Sequence, residues 1–351
     1  MTYVINKSNI NKETLICSHK EDDFSIYKYG AKPNANLYNY RSIITHNETV
    51  VCFSPPKSIS RDSFLELHSS KVVVEEYIEG TMVNAFWAKN QWRIASRSKL
   101  NANCFFFDTN GNFSNMVQET FQECNLDLNA LNKEYCYSFV MQHPANRIVS
   151  RFDKPMLYLI AAYRIEESDG DEVYVHLINV QSEPLWATTT VKFPATVLNF
   201  NINTKPDELC MPYTQMGLVF KNGGIRCKLR NPAYEYVRQL RGNQPKLMYR
   251  YFELRKLEKI RAYLSHYPEH ATQFAVFRKK IHEYTNTLYN LYVNIYILKT
   301  EMDLSVRNDV RFKQSLTKLH QMYITQRTKI NITRVIEYVN SLPEAVLMSV
   351  V

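Results

Sequence analysis

The 351-residue sequence predicts an α+β chain, with antiparallel sheet in front and helices behind. Two observations carry that prediction. Up to about residue 230, apolar and polar residues alternate in short runs separated by turn residues, the signature of half-buried strands. Beyond it, apolar residues recur at spacings of three and four, the signature of helices with one buried face. The predicted division is residues 1–245 as the sheet domain and 246–351 as an all-helical C-terminal domain, with the two packed on each other.

The front elements follow in order. "VVVEEYIEGTMVNAFW", Val72 to Trp87, is a β-branched run, a turn at Tyr77-Ile78-Glu79-Gly80-Thr81 and an alternating run. "TMVNAFWAKNQWRIASRS" folds back at Ala88-Lys89-Asn90-Gln91, and "SNMVQETFQECN" from Ser114 reads as a short helix. "MLYLIAAYRIEESDGDEVYVHLINV" turns at Ser168-Asp169-Gly170-Asp171. "GLVFKNGGIRCKL" turns at Asn222-Gly223-Gly224, residues that accept the positive φ of a type I′ turn.

The switch to helix comes at "RNPAYEYVRQLRGNQP". Asn231 suits an N-cap, Pro232 the first turn and Gly242 the stop. "KLMYRYFELRKLEKIRAYLSHYP" repeats at three and four, and "HATQFAVFRKKIHEYTNTLYNLYVNIYILK" does so for about eight turns. "VRFKQSLTKLHQMYIT" and "ITRVIEYVNSL" complete the set.

Composition narrows the class. At 45% hydrophobic and 22% charged residues the chain has the balance of a globular protein. Seven scattered cysteines without CxxC spacing write neither a zinc ribbon nor a disulfide framework, which favours a reducing compartment. Neither a signal peptide nor a membrane span is legible, so the expected setting is cytoplasmic, without a membrane partner. Residues 246–351 hold 17 Lys/Arg against 9 Asp/Glu, a net +8, whereas the first 245 contribute +1. A basic tail expects an acidic partner, with a solvated helical surface as the alternative.

Four segments then carry a resemblance. "EYIEGT", "HPANRIV", "MGLVF" and "IRCKLRNPAY" fall in the order and approximate spacing of nucleotidyltransferase motifs I, III, IV and V. The sequence resembles the phage tRNA-repair RNA ligase family (RNA ligase 1), and more closely the degenerate ligase-like proteins of large cytoplasmic DNA viruses. The resemblance covers Arg41 to Gly242 and implies a nucleotidyltransferase (adenylation) fold on antiparallel sheets. In an active member it further implies ATP and Mg2+, with a motif I lysine attacking the α-phosphate and motif III and IV carboxylates holding metal and ribose. Motif V cations steady the phosphates.

Position by position the chain departs from that pattern. Gly80 matches motif I, but the nucleophile position is Tyr77, a phenol whose ordinary pKa near 10 leaves little phenolate at neutral pH. Lys71 is six residues upstream, about 20 Å along a strand. The motif III signature Pro144-x-Asn146-Arg147-Ile148-Val149 is present, yet its glutamate position is Val140, and a slip offers only Ser138 or Gln142. The motif IV glutamate position is Met216. Glu76 and Glu79 flank the turn, and alternation puts them on opposite sides.

The cations are retained. Arg226 and Lys228 alternate on one predicted strand, so both face one way. Arg97 and Lys99 are expected on the strand after Trp92, and Arg41 and Lys57 match the two basic residues upstream of the nucleophile. The resemblance therefore makes Arg41, Lys57, Gly80, Arg97, Lys99, Arg226 and Lys228 the phosphate-binding candidates, with Asn146 and Arg147 as the motif III signature. No metal ligand is expected. Tyr77 and Met216 also read as pocket-filling side chains, Asn146-Arg147 as a structural pair and His143 as a loop residue.

Three functions stay open at this level. The first is a catalytically degenerate ligase fold that binds nucleic acid, RNA ahead of DNA and single-stranded, through a cleft that kept its bases and lost its acids. In that case the protein acts in the host cytoplasm or the virion. The second is an active RNA ligase or nucleotidyltransferase with a displaced nucleophile, Lys99 or Tyr77. The third is a structural or assembly protein whose helical tail docks other viral proteins.

Overall fold

The computed structural model describes residues 1–10, 15–30, 35–67, 72–102, 112–300 and 309–351; Lys71 lies outside them. The chain divides into two compact units, Met1–Arg238 and Gln239–Val351.

The first unit is built on three antiparallel sheets. Its strands are β1 (Thr2–Asn6), β2 (Leu15–Glu21), β3 (Phe24–Tyr29), β4 (Ile43–His46), β5 (Thr49–Cys52), β6 (Val73–Glu76), β7 (Thr81–Ala88), β8 (Gln91–Ser96), β9 (Tyr135–Gln142), β10 (Met156–Glu167), β11 (Glu172–Ile178), β12 (Gly217–Asn222) and β13 (Ile225–Arg230). They pair as β1-β11-β10-β9-β7-β8, β13-β12-β6 and β2-β3-β4-β5. Helix α1 (Arg61–Leu67) sends Phe64 into the core of the three-stranded sheet, against Val74, Leu218, Phe220 and Leu229. Helix α2 (Phe113–Glu123) covers one face of the six-stranded sheet through Phe113, Met116, Val117 and Phe121.

Alternation on β9 places the site. Tyr137, Phe139 and Met141 enter the core beneath α2. Ser138, Val140 and Gln142 therefore face the other way. Ser138 Oγ donates to Asn84 Oδ1 at 2.8 Å, and Asn84 Nδ2 donates to Ser54 Oγ at 2.8 Å, a buried polar chain with its groups satisfied.

The turns repay a closer look. Lys89 and Asn90 adopt φ of 52° and 56° between paired Ala88 and Gln91, so the I′ geometry is realised there. At the expected I′ site only Gly223 is left-handed, with φ 54°; Asn222 is still paired, to Ile225. Gly224 is fixed by space instead, since a Cβ there would lie 1.9 Å from Met1 Cε.

Helix α3 (Pro232–Arg241) begins and ends where the sequence indicates. Asn231 Oδ1 accepts from Ala233 N at 3.0 Å, and Gly242 takes φ 68°. The expected continuous run after Lys246 is two helices, α4 (Leu247–Lys256) and α5 (Ile260–His266), because the chain turns at Glu258, φ 58°. Then come α6 (Ala271–Tyr292), a π-helical turn (Val293–Leu298), α7 (Val310–Gln326), α8 (Ile332–Ser341) and α9 (Glu344–Val350). Among the described residues, no helix is long and apolar enough to cross a membrane.

Candidate functional site

The turn between β6 and β7 is the hinge of the site. Gly80 has φ 145°, and a Cβ there would lie 2.4 Å from Met141 O and 2.7 Å from Val140 Cγ1. Only glycine lets β7 start this close to β9. Glu79, buried, points back under the turn and accepts from Val149 N at 2.7 Å, Ser150 N at 3.1 Å and Ser150 Oγ at 2.7 Å. Burial raises its pKa even against those bonds. Asn146 Nδ2 donates to Thr81 Oγ1 at 2.8 Å, and Gln142 Nε2 to Glu79 O at 2.9 Å. The motif III loop is thus tied to the motif I turn by side chains. Arg147 Nε donates to Val149 O at 3.1 Å, within its own loop.

Above this turn lies a cavity of about 390 Å³. Arg41, Gly80, Arg97, Asn146, Arg226 and Lys228 line it, as do Tyr77, Val140 and Met216. Lys228 Nζ donates to Tyr77 Oη at 2.6 Å and sits 4.3 Å from the Tyr77 ring centroid. Arg226 is anchored on backbone: Nε donates to Pro56 O at 2.9 Å and Nη2 to Pro55 O at 3.1 Å. Arg41 Nη1 reaches Pro55 O at 3.4 Å.

Among the described residues no carboxylate is hydrogen-bonded to these cations, and burial beside one another lowers their pKa values. Lys228 is pushed down to about 6, first by burial and then by Arg226, Arg41, Arg230 and Arg238. Arg41 is lowered to about 10 by burial, Arg226 and Arg97, and burial lowers Arg226. The cluster is a pole of positive potential around an amine that is largely neutral at pH 7. Met82, Phe113, Ile160, Pro194 and Val219 add apolar lining.

Three expectations are corrected. Lys57 and Lys99 are not among the lining residues. Lys57 lies over the Tyr38 ring at 4.5 Å, and β8 ends at Ser96, so Arg97 and Lys99 are in a bend closed by Ser96 N donating to Lys99 O. Arg97 lines the cavity and Lys99 does not. The cleft is also not free of acids: Glu75 and Glu76 line it. Glu75 pairs with Lys221 Nζ at 2.5 Å, and Glu76 Oε2 accepts from Ala195 N at 3.4 Å. Lys221 and Glu75 were missed, and Glu76 was weighed only as a residue flanking the turn, because they enter through the pairing of β6 with β12, which joins segments some 140 residues apart. Alternation along Gly217, Val219 and Lys221 would have exposed the lysine. His143 is a loop residue, its Nδ1 accepting from Ala145 N at 3.1 Å.

Comparison with known proteins adds likenesses. No protein-family model matches the chain. Over 183 residues it is 26% identical to the immediate-early protein ICP-46 homolog of Invertebrate iridescent virus 3, a match spanning 50% of this chain and 38% of that protein. Its similar solved structures are ligases. A protein of Aquifex aeolicus proposed to be an ATP-dependent DNA ligase aligns at TM-score 0.43 and 10% identity, over 98% of this chain and 77% of that one. An archaeal ATP-dependent RNA ligase aligns at 0.38 and 13%, over 76% and 70%. A Naegleria gruberi RNA ligase aligns at 0.37 and 15%, over 52% and 56%. With TM-scores under 0.5, these likenesses decide nothing about what the chain does.

Proposed function

We propose that this chain is a ligase-like nucleotidyltransferase fold that has lost the covalent step and binds nucleic acid through its basic cavity, single-stranded RNA ahead of DNA. The observation that carries this reading is the contact of Lys228 with Tyr77. At the position of the attacking lysine stands a phenol, and Lys228 Nζ donates one hydrogen bond to it. Val140 and Met216 put hydrocarbon where metal-binding oxygens belong, and hard divalent cations need oxygen ligands. Among the described residues, no group of three or more His, Cys, Asp or Glu is placed to hold a metal ion. Arg41, Arg97, Arg226 and Lys228 remain aimed at a phosphate.

The two glutamates do not reverse this. Glu75 is engaged by Lys221 and Glu76 accepts from Ala195 N, which leaves Arg41 and Arg226 as the charged pole beside the Lys228 amine. The parts that attract a phosphate are in place, and those that activate it are replaced. The viral setting and a role beside other viral proteins belong to the same proposal. Intact-mass measurement after incubation with ATP and Mg2+ tests it: the unmodified mass is expected, and an increment of one AMP overturns it.

A further inference from the structure

The helical unit carries a second feature, independent of the cavity. Helix α6 widens after Tyr292 into the π-helical turn Val293–Leu298, which closes at Lys299 with φ 51°. Such a turn rotates the side chains beyond it relative to an α-helix, and it is common at functional sites. Here Tyr296 meets α7, its ring lying on His320 with centroids 3.9 Å apart and planes 12° apart.

The rings continue in both directions. On the inner side, buried Tyr292 lies 5.1 Å from Tyr296. On the outer side, Tyr323 lies 5.9 Å from His320, its plane turned by 24°. Tyr323 is 45% exposed. A ladder of rings thus begins in the core and ends in water.

Its surroundings select the partner. Arg327 follows Tyr323 by four residues and ends α7 in the left-handed conformation, its N–H donating to Tyr323 O at 2.9 Å. Lys299 follows Tyr296 by three. Among the described residues neither Arg327, Lys299 nor nearby Lys329 makes an ion pair, and residues 246–351 carry a net +8. A flat π-face in a basic setting matches a base and its flanking phosphates, since base–aromatic stacking tolerates any base and the charges track the backbone. Exposed Ile297, Leu298 and Ile324 extend the apolar rim. A ring already held by its neighbours loses little freedom when another flat ring joins it.

We infer that the Tyr296–His320–Tyr323 ladder is a stacking platform for an unpaired base of single-stranded nucleic acid, with the adjoining phosphates on Arg327 and Lys299. The platform belongs to the helical unit and stands whether or not the cavity binds.

The test uses the full chain and a 12-nucleotide single-stranded RNA carrying 2-aminopurine, whose fluorescence is quenched on stacking. Quenching is expected with the native protein. Tyr323→Ala is expected to abolish it and weaken binding roughly tenfold, whereas Tyr323→Trp keeps both. Arg327→Gln is expected to lower the salt slope of log K by about one. Tyr323 is exposed, so unchanged circular dichroism and melting certify the fold of the variants. Unaltered quenching and affinity in Tyr323→Ala overturn the inference, as does equal loss in Tyr323→Trp. It is also overturned if Tyr323→Ala changes only the sedimentation of the protein, because the ladder is then a contact between copies. Arg97→Gln/Lys228→Gln, assayed alongside, separates a failure of the cavity from a failure of the platform.

Discussion

Lys228 gives the most quantitative handle on the cavity. Its amine faces Tyr77 from the turn, Arg226 and Arg230 from its own strand, Arg41 from before β4 and Arg238 from α3. In the free protein its pKa is about 6, so at pH 7.5 about one molecule in thirty carries the proton. A bound phosphate supplies the missing negative charge and moves the amine back toward its ordinary 10.5. Binding then takes up one proton. Between pH 6.5 and 8.5 the affinity for a short single-stranded RNA falls by close to tenfold per pH unit, about 1.4 kcal/mol each. Lys228→Gln removes the titrating group, so its affinity starts lower and its profile flattens. Fluorescence anisotropy at constant ionic strength in a series of buffers reads this directly. A native profile that is flat over this range, or an equal slope in Lys228→Gln, refutes the placement of phosphate at Lys228.

Stability gives four further expectations. Folding strips a proton from Lys228, so its contribution weakens the fold progressively as pH drops from 10.5 toward about 6; Lys228→Met is expected to raise Tm at pH 7, by roughly 1–3 kcal/mol in denaturant titration. Glu79 has the opposite sign: its raised pKa means that folding takes up a proton, so its contribution is fully present below the ordinary glutamate value and lost as pH rises through the raised one. Glu79→Gln should remove that pH dependence, and Glu79→Ala should cost roughly 2–4 kcal/mol by stranding Val149 N, Ser150 N and Ser150 Oγ, both read by urea unfolding at pH 5 and 7. Gly80→Ala, with its Cβ against Met141 O, is expected to destabilise by more than about 3 kcal/mol or to abolish soluble expression. Asn231→Ala, which loses the cap and the bonds to Pro212 O and Gln215 O, should cost about 2 kcal/mol by the same titration.

Much of the local structure was legible because local rules decide it. The hairpin at Lys89-Asn90 rests on a left-handed pair that few residues favour, and the start of α3 at Asn231-Pro232 rests on a side-chain cap and a proline suited to the first turn. Gly80 was legible for the same reason, since a close approach leaves no substitute. The break at Glu258 was not, because a charged residue in the left-handed region carries no marker and the apolar period runs through it. Site composition was harder still. Alternation placed Arg226 and Lys228 together, but the end of β8 at Ser96, and hence the exclusion of Lys99, depends on tertiary closure. Glu75, Glu76 and Lys221 reach the cavity by a pairing of β6 with β12 that no window of sequence contains. The platform at Tyr323 needs the π-turn, which the uniform aromatic periodicity of "YTNTLYNLYVNIYIL" hides.

The central claim is that the cavity lined by Arg41, Arg97, Arg226 and Lys228 is a working phosphate site. A salt series of fluorescence anisotropy with single-stranded RNA, comparing the native chain with Arg97→Gln/Lys228→Gln, tests it most directly. These two residues are chosen because Arg226 also holds Pro55 and Pro56 in place. A steep loss of affinity with salt, shallower by about one to two units of slope in the variant, is the predicted result. Equal slopes and equal affinities in the two proteins would contradict it.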